Sequence, residues 1–171
     1  HYIEGVLPGY FWIFPVGNGV CNVGFGITLR DLELHERKLR GLQEYIINDV
    51  SRFRDRFAQA ELITGSSRGW QLPLGSPRSS GKLQPRRAFA AGAMLIGDAA
   101  SLVDPFTGEG IGNALLSAKL AVGHFDREAH ARGFPLEAGA RYQRVLWGKL
   151  GYELRNSYKL QRLTRRRWLL N

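Results

Sequence analysis

From Tyr10 to Phe14 the chain reads Tyr-Phe-Trp-Ile-Phe, and after Gly17-Asn18-Gly19 a second strand-like run extends from Val20 to Ile27. Two such runs about an Asn-Gly pair predict a β-hairpin, because that pair accepts the positive φ angles of a tight turn. The period then changes. Leu39, Leu42, Ile46, Val50, Phe53 and Phe57 recur every three or four residues while Arg, Glu and Asp fill the other positions. This predicts an amphipathic helix packed by one stripe. Trp70 to Leu74 reads as another short strand, and Gly75 to Pro85 as a loop rich in Gly, Ser and Pro. Ala93 to Ile96 reads as a buried apolar strand ending at Gly97-Asp98. A loop with Pro105, Gly108 and Gly110 follows, then a helix from about Ile111 to Gly123. A last amphipathic helix is expected from Arg141 to about Leu163, with Tyr142, Val145, Leu146, Leu150, Leu154 and Tyr158 on one side. Strands and helices mix, so the fold class is α+β (α/β), and no internal repeat is visible.

Composition narrows the picture. The 171 residues suffice for one ordinary domain with a core, and no run approaches the ~20 apolar residues of a membrane-spanning helix. Nothing reads as a signal peptide, and His1 in place of an initiator methionine reads as a cut rather than a processed end. Cys21 is the single cysteine, which excludes an internal disulfide and a cysteine-based metal site and suits a reducing, cytoplasmic compartment. His35 and His124 lack metal-ligand spacing, so no metal is expected. The net charge of +9 is concentrated at the end: Arg155 to Asn171 holds six basic residues and no acid. A solvated helix end, an anionic lipid surface and nucleic acid compete as explanations. No nucleic-acid motif accompanies the basic run, and Trp168-Leu169-Leu170 directly after Arg165-Arg166-Arg167 favours a peripheral contact of 155–171 with anionic membrane.

The stretch Met94 to Ala121, MLIGDAASLVDPFTGEGIGNALLSAKLA, carries the chemistry. A strand delivers Asp98 at its carboxyl end, where ligands sit in α/β folds, and Ala99 and Ala100 leave room beside it. Gly108, Gly110 and Gly112 strip bulk from the entrance of the next helix, whose first amides lack internal partners and face a positive dipole end. A carboxylate beside such an entrance suits a ligand with hydroxyls at one place and electron-rich oxygens at another. A dinucleotide fingerprint is excluded twice. Asn113 occupies the last glycine position of Gly108-Glu109-Gly110-Ile111-Gly112-Asn113, and the preceding strand ends too far upstream; in Gly24-Phe25-Gly26, Leu29 stands where the third glycine belongs. Glu109 is a candidate proton-handling acid, with a helix-start charge as the plainer explanation. Tyr10, Trp12 and Phe14 alternate, so all three share one face of a strand, either as core or as the wall of a pocket. Cys21 reads as a small buried thiol.

This segment resembles the second FAD motif of the para-hydroxybenzoate-hydroxylase-like flavoproteins, a G-D-A-A, a proline-containing spacer, then G-x-G and a helix. The resemblance implies FAD as cofactor, with Asp98 on the ribityl chain, the amides of Ile111 and Gly112 toward the ring, and Pro105, Gly108 and Gly110 shaping the loop beneath it. Pro8-Gly9-Tyr10-Phe11-Trp12-Ile13-Phe14-Pro15 followed by Gly24-Phe25-Gly26 is similar to the P-x-Y-x-W-x-F-P…G-x-G pattern of the geranylgeranyl reductases. That likeness implies a hydrophobic isoprenoid substrate along Tyr10, Trp12 and Phe14, and hydride transfer from reduced flavin. Gly69 to Leu74 fits the strand that normally precedes the flavin segment. The resemblance also implies that the chain is the C-terminal part of a longer protein whose βαβ pyrophosphate-binding unit and upstream active-site residues are missing, so that the isolated piece is inactive. The expected division is 1–85 as substrate-domain sheet and helix, 86–125 as flavin strand-loop-helix, and 126–171 as a helical region with a basic tail. An aromatic monooxygenase, a halogenase or a quinone-linked dehydrogenase on the same scaffold is the alternative enzyme, and a non-catalytic lipid- or partner-binding piece the alternative class.

Overall fold

Asn18 and Gly19 adopt φ of 51° and 74°, and they reverse the chain between β1 (Tyr10–Gly17) and β2 (Val20–Gly26). A computed structural model describes residues 1–3, 6, 9–75, 85–125, 131 and 135–164. The two strands pair antiparallel from Tyr10↔Gly26 to Pro15↔Cys21, with a register shift between Pro15 and Gly17. Because side chains alternate across a strand, Phe11 and Ile13 share one face with their partners Phe25 and Val23. That face is the core: Phe11 packs with Ile3, Val6, Ile46 and Phe53, flanked by Ile13, Val23 and Phe25.

The long period between Leu39 and Phe57 yields two helices rather than one. A short α1 (Leu29–Glu33), capped by the Thr28 hydroxyl, comes first; α2 (Leu39–Asn48) and α3 (Ser51–Phe57) follow. The break lies at Asp49-Val50, where Val50 takes an extended ψ of 111°. The stripe survives the break, since Leu42, Ile46 and Phe53 are all buried. Its outer positions relax: Leu39 is exposed and Val50 and Phe57 are half-buried.

Residues 1–69, with Thr164, form one compact unit and Trp70–Leu163 a second. In the second unit the Trp70–Leu74 strand does not form. Trp70 is 90% exposed, and Leu74 makes a single parallel bridge to Val103. The expected strand at Ala93–Ile96 shortens to β4 (Ala93–Met94), paired with β3 (Phe89–Ala90) across a turn at Gly92. Leu95 and Ile96 are exposed, so Asp98 is not delivered by a buried strand; it sits in a 3₁₀ turn, Gly97–Ala100. Most of the expected loop from Gly75 to Pro85 lies outside the described residues, as do Pro8 and the basic run 165–171.

Two helices complete this unit: α4 (Ile111–Gly123) where the sequence places it, and α5 (Leu136–Leu163), which starts a turn earlier than its apolar pattern. Pro135 precedes α5, and its carbonyl accepts from the Ala138 amide at 3.1 Å. The inner face of α5, Tyr142, Leu146, Leu150 and Leu154, builds the core with Ala88, Ala100 and Leu102; Val145 lies outside it at 36% exposure. Gly139 lets the Phe89 ring lie directly on the helix, since a Cβ there would stand 2.4 Å from the ring. On α4, by contrast, Ile111, Leu115 and Val122 are 69–76% exposed. No described helix is long and apolar enough to cross a membrane.

Candidate functional site

Gly97, at φ 51°, starts the turn that carries Asp98. Its amide donates to the Ser117 hydroxyl of α4 at 3.0 Å, and a Cβ at Gly97 would stand 3.0 Å from that of Ala114. The turn therefore rests on the helix that follows it in sequence. Ser101 closes the turn in a left-handed conformation, its amide bonded to the Asp98 carbonyl. Its hydroxyl accepts from Arg86 Nη1 at 2.7 Å, and the Arg86 carbonyl accepts from Trp147 Nε1 at 3.0 Å. From α5, Tyr142 donates to the Leu95 carbonyl at 2.7 Å, just upstream of the turn. Burial pushes the Tyr142 phenol up to about 12.

The loop from Asp104 to Gly110 is built around one carboxylate. Asp104 Oδ1 accepts from the amides of Phe106 and Thr107, each at 2.9 Å, and from the Thr107 hydroxyl at 3.1 Å. The Asp104 amide donates to the Glu109 carbonyl at 2.7 Å, closing the loop at its neck. Pro105 is buried and Gly108 takes φ 73°. Asn113 Nδ2 ties α4 back to the Leu102 carbonyl at 2.8 Å. Asp104, Asn113 and Ser117 were not among the candidates from sequence. An Asp-Pro pair is a turn signal, whereas Asn113 and Ser117 bond to partners that only the fold supplies.

These braces put Asp98 beside the entrance of α4. A Cβ on Gly110, the N-cap residue, would lie 3.3 Å from Asp98 Oδ1 and 3.3 Å from Val103 Cγ2. Any side chain at 110 would crowd that gap. Asp98 is exposed, and its carboxylate has no hydrogen-bond partner among the described residues. Ile111 and Gly112 are both exposed, and the expectation of a bare helix start is corrected at one of them: the Gly112 amide donates to Glu109 Oε1 at 2.9 Å. Glu109 is thus the helix's own cap. The residues present fit a ligand that offers a hydroxyl to Asp98 and an electron-rich oxygen to the entrance of α4, where Glu109 holds the Gly112 amide. Among the described residues no cluster of His, Cys, Asp or Glu could hold a metal ion.

In the other unit, Tyr10, Trp12 and Phe14 occupy the face of the hairpin opposite the core. Their rings follow one another at 6.0 and 6.1 Å, with Trp12 and Phe14 stacked at 21°. Opposite them on β2 stand Gly26, Gly24 and Asn22. Trp12 lies flat over Gly24, where a Cβ would meet the ring at 2.3 Å, and its Nε1 donates to Asn22 Oδ1 at 2.8 Å. Nothing lies within 4 Å of a Cβ built on Gly26. Phe14 is 59% exposed. The stripe is an apolar shelf with a glycine floor rather than core packing within this unit. The Tyr10 hydroxyl is held above its ordinary range, by burial first and then by the neighbouring Tyr2. Cys21, expected to be buried, is exposed. A shallow concavity of about 440 Å³ along α2, beside Arg37 and Tyr45, involves none of the residues singled out from sequence.

The stretch that carries this shelf is similar to known proteins. Residues 5–65 match the geranylgeranyl reductase catalytic domain. Among similar curated proteins is a menaquinone reductase of Mycobacterium tuberculosis, 37% identical over 81% of this chain and 31% of the relative. Digeranylgeranylglycerophospholipid reductases of Methanococcoides burtonii (35% identical, 87% of this chain, 32% of the relative) and Thermoplasma volcanium (29%, 85% and 33%) are also similar. The chain spans about a third of the length of these relatives. No solved structure matches it significantly.

Proposed function

We propose that the whole protein is an FAD-dependent reductase with a para-hydroxybenzoate-hydroxylase-like fold, saturating double bonds of an isoprenoid lipid. The observation that carries this is the unpartnered Asp98 carboxylate beside the glycine-lined entrance of α4. Bound there, FAD would supply the hydride. The chain's own part is to grip and tune. Asp98 would accept a hydrogen bond from the ribityl chain. The amides of Ile111 and Gly112 would hold the oxygen-bearing edge of the ring, where the positive end of the α4 dipole favours negative charge. For that, the Glu109 carboxylate that accepts from the Gly112 amide would have to give way to the ring. Pro105, Gly108 and Gly110 keep the loop narrow.

The shelf of Tyr10, Trp12 and Phe14 supports a long apolar substrate, because three rings in line with a glycine floor offer flat, non-directional contact to a chain. Relatives named for a digeranylgeranyl lipid and for menaquinone support an isoprenoid-bearing substrate. The test is the full-length protein. Purified, it is expected to be yellow and, once reduced, to saturate a geranylgeranyl chain while leaving a simple phenol untouched. A colourless protein refutes the flavin reading; a yellow one that hydroxylates the phenol instead refutes the substrate reading.

A further inference from the structure

Helix α5 buries one face and leaves the other with a one-sided charge pattern. At about 100° per residue, Arg141, Arg144, Arg155, Lys159 and Arg162 all fall on the face opposite Tyr142, Leu146, Leu150 and Leu154, and all five are exposed. The acids of α5 are Glu137, in its first turn and one turn before Arg141, and Glu153, which falls with Lys149 toward the side of Tyr142 and Leu146 rather than among these cations. The ion pairs among the described residues are Arg40–Glu44 and Arg54–Asp55, so none of the five cations is neutralised there. Interleaved with them stand Tyr152, 72% exposed, with Leu163 at 44% and Val145 at 36%. The stripe is straight and runs for about 30 Å from Arg141 to Arg162.

We propose that this face of α5 docks on an anionic lipid bilayer surface. A straight row of cations meets a plane along its whole length, and apolar side chains set among the cations enter the headgroup layer while the charges stay at the phosphates. From Arg144 to Arg162 no acid stands one turn from these bases, as acids would on a merely solvated face, and a nucleic-acid groove would gain nothing from a protruding leucine and valine. The contact is therefore assigned to the helix face itself and not to the chain end alone. It stands independently of the flavin reading.

The experiment uses the full-length protein in co-sedimentation with vesicles of neutral phosphatidylcholine, with and without 30% phosphatidylglycerol by design. Arg144→Gln/Arg155→Gln/Lys159→Gln is compared with a charge-matched control on the other unit, Arg30→Gln/Lys38→Gln/Arg56→Gln. The unaltered protein should bind the anionic vesicles alone, and the α5 triple variant should bind on the order of 100-fold more weakly. The control should lose far less, and Tyr152→Ser, which leaves all charges in place, should weaken binding several-fold. Equal losses in both triple variants would reduce the effect to net charge and overturn the docking face. So would unchanged binding by the α5 variant, or loss of duplex-DNA binding with vesicle binding intact. If the α5 variant fails to fold by circular dichroism, Tyr152→Ser decides alone, and unchanged binding refutes the proposal.

Discussion

The carboxylate of Asp104 accepts three hydrogen bonds and that of Asp98, six residues earlier, accepts none from the described residues. Asp104 shapes the loop; Asp98 is left available. Asp104→Ala should strand two loop amides in partial contact with water and lower stability by about 1 kcal/mol, read as a fall in the urea midpoint with an unchanged slope. Glu109 bonds the Gly112 amide, so Glu109→Gln keeps an acceptor while removing a negative charge at the helix entrance. In the flavin-loaded protein that should raise the two-electron midpoint potential by about 20–30 mV, equivalent to about 1 kcal/mol. An unchanged potential in a spectroelectrochemical titration would place Glu109 outside the flavin's field. Residue-scale chemistry was partly legible in the sequence. Asp98 and the glycines stand out because few residue types permit close approach. The closing of Glu109 onto Gly112 was not, since it depends on a rotamer set by the loop.

At the scale of elements, sequence pattern succeeded where a local signal decides the outcome. Asn18-Gly19 dictates the hairpin by its backbone angles, and the 3.6-residue period of α5 has a core to meet. It failed where a partner decides: Trp70–Leu74 has strand-like residues, yet strand propensity is realised only against a neighbour, and Leu74 finds only Val103. The apolar period across Asp49-Val50 also hid a break, because two short helices can present the same stripe. Two predictions belong here. Gly24→Ala would place a methyl 2.3 Å from Trp12, displacing the ring; a loss of about 1–3 kcal/mol with altered tryptophan fluorescence is expected, whereas Gly26→Ala, with open space around it, should leave the ring in place. Tyr142 couples α5 to the Leu95 carbonyl, and its phenol is raised to about 12 against an ordinary 10.0. Below pH ~10 both folded and unfolded chains keep it protonated and its stabilisation is complete. As pH climbs toward 12 the unfolded chain ionises first, so stability should fall over that window, and Tyr142→Phe should flatten the fall in an alkaline denaturation series.

For the molecule as a whole, the match to a family model and the Asp98 turn lie in different units. The shelf lies within the stretch that matches the geranylgeranyl reductase catalytic domain, and the Asp98 turn and α4 lie in the unit from Trp70 to Leu163. The mixed helix-and-hairpin architecture agrees with the α+β class read from sequence. The exposed side of α4, with Ile111, Leu115 and Val122 uncovered, offers further apolar surface on the helix whose entrance is proposed to hold a flavin. That account rests on Asp98 gripping the cofactor, and FAD titration of the full-length apoprotein, followed by flavin fluorescence, tests it directly. Replacing Asp98 by Ala removes a charge-assisted hydrogen bond of about 1.5–3 kcal/mol, so Asp98→Ala should bind FAD roughly 10- to 150-fold more weakly with its fold intact. Equal affinity in the unaltered protein and the variant would contradict it.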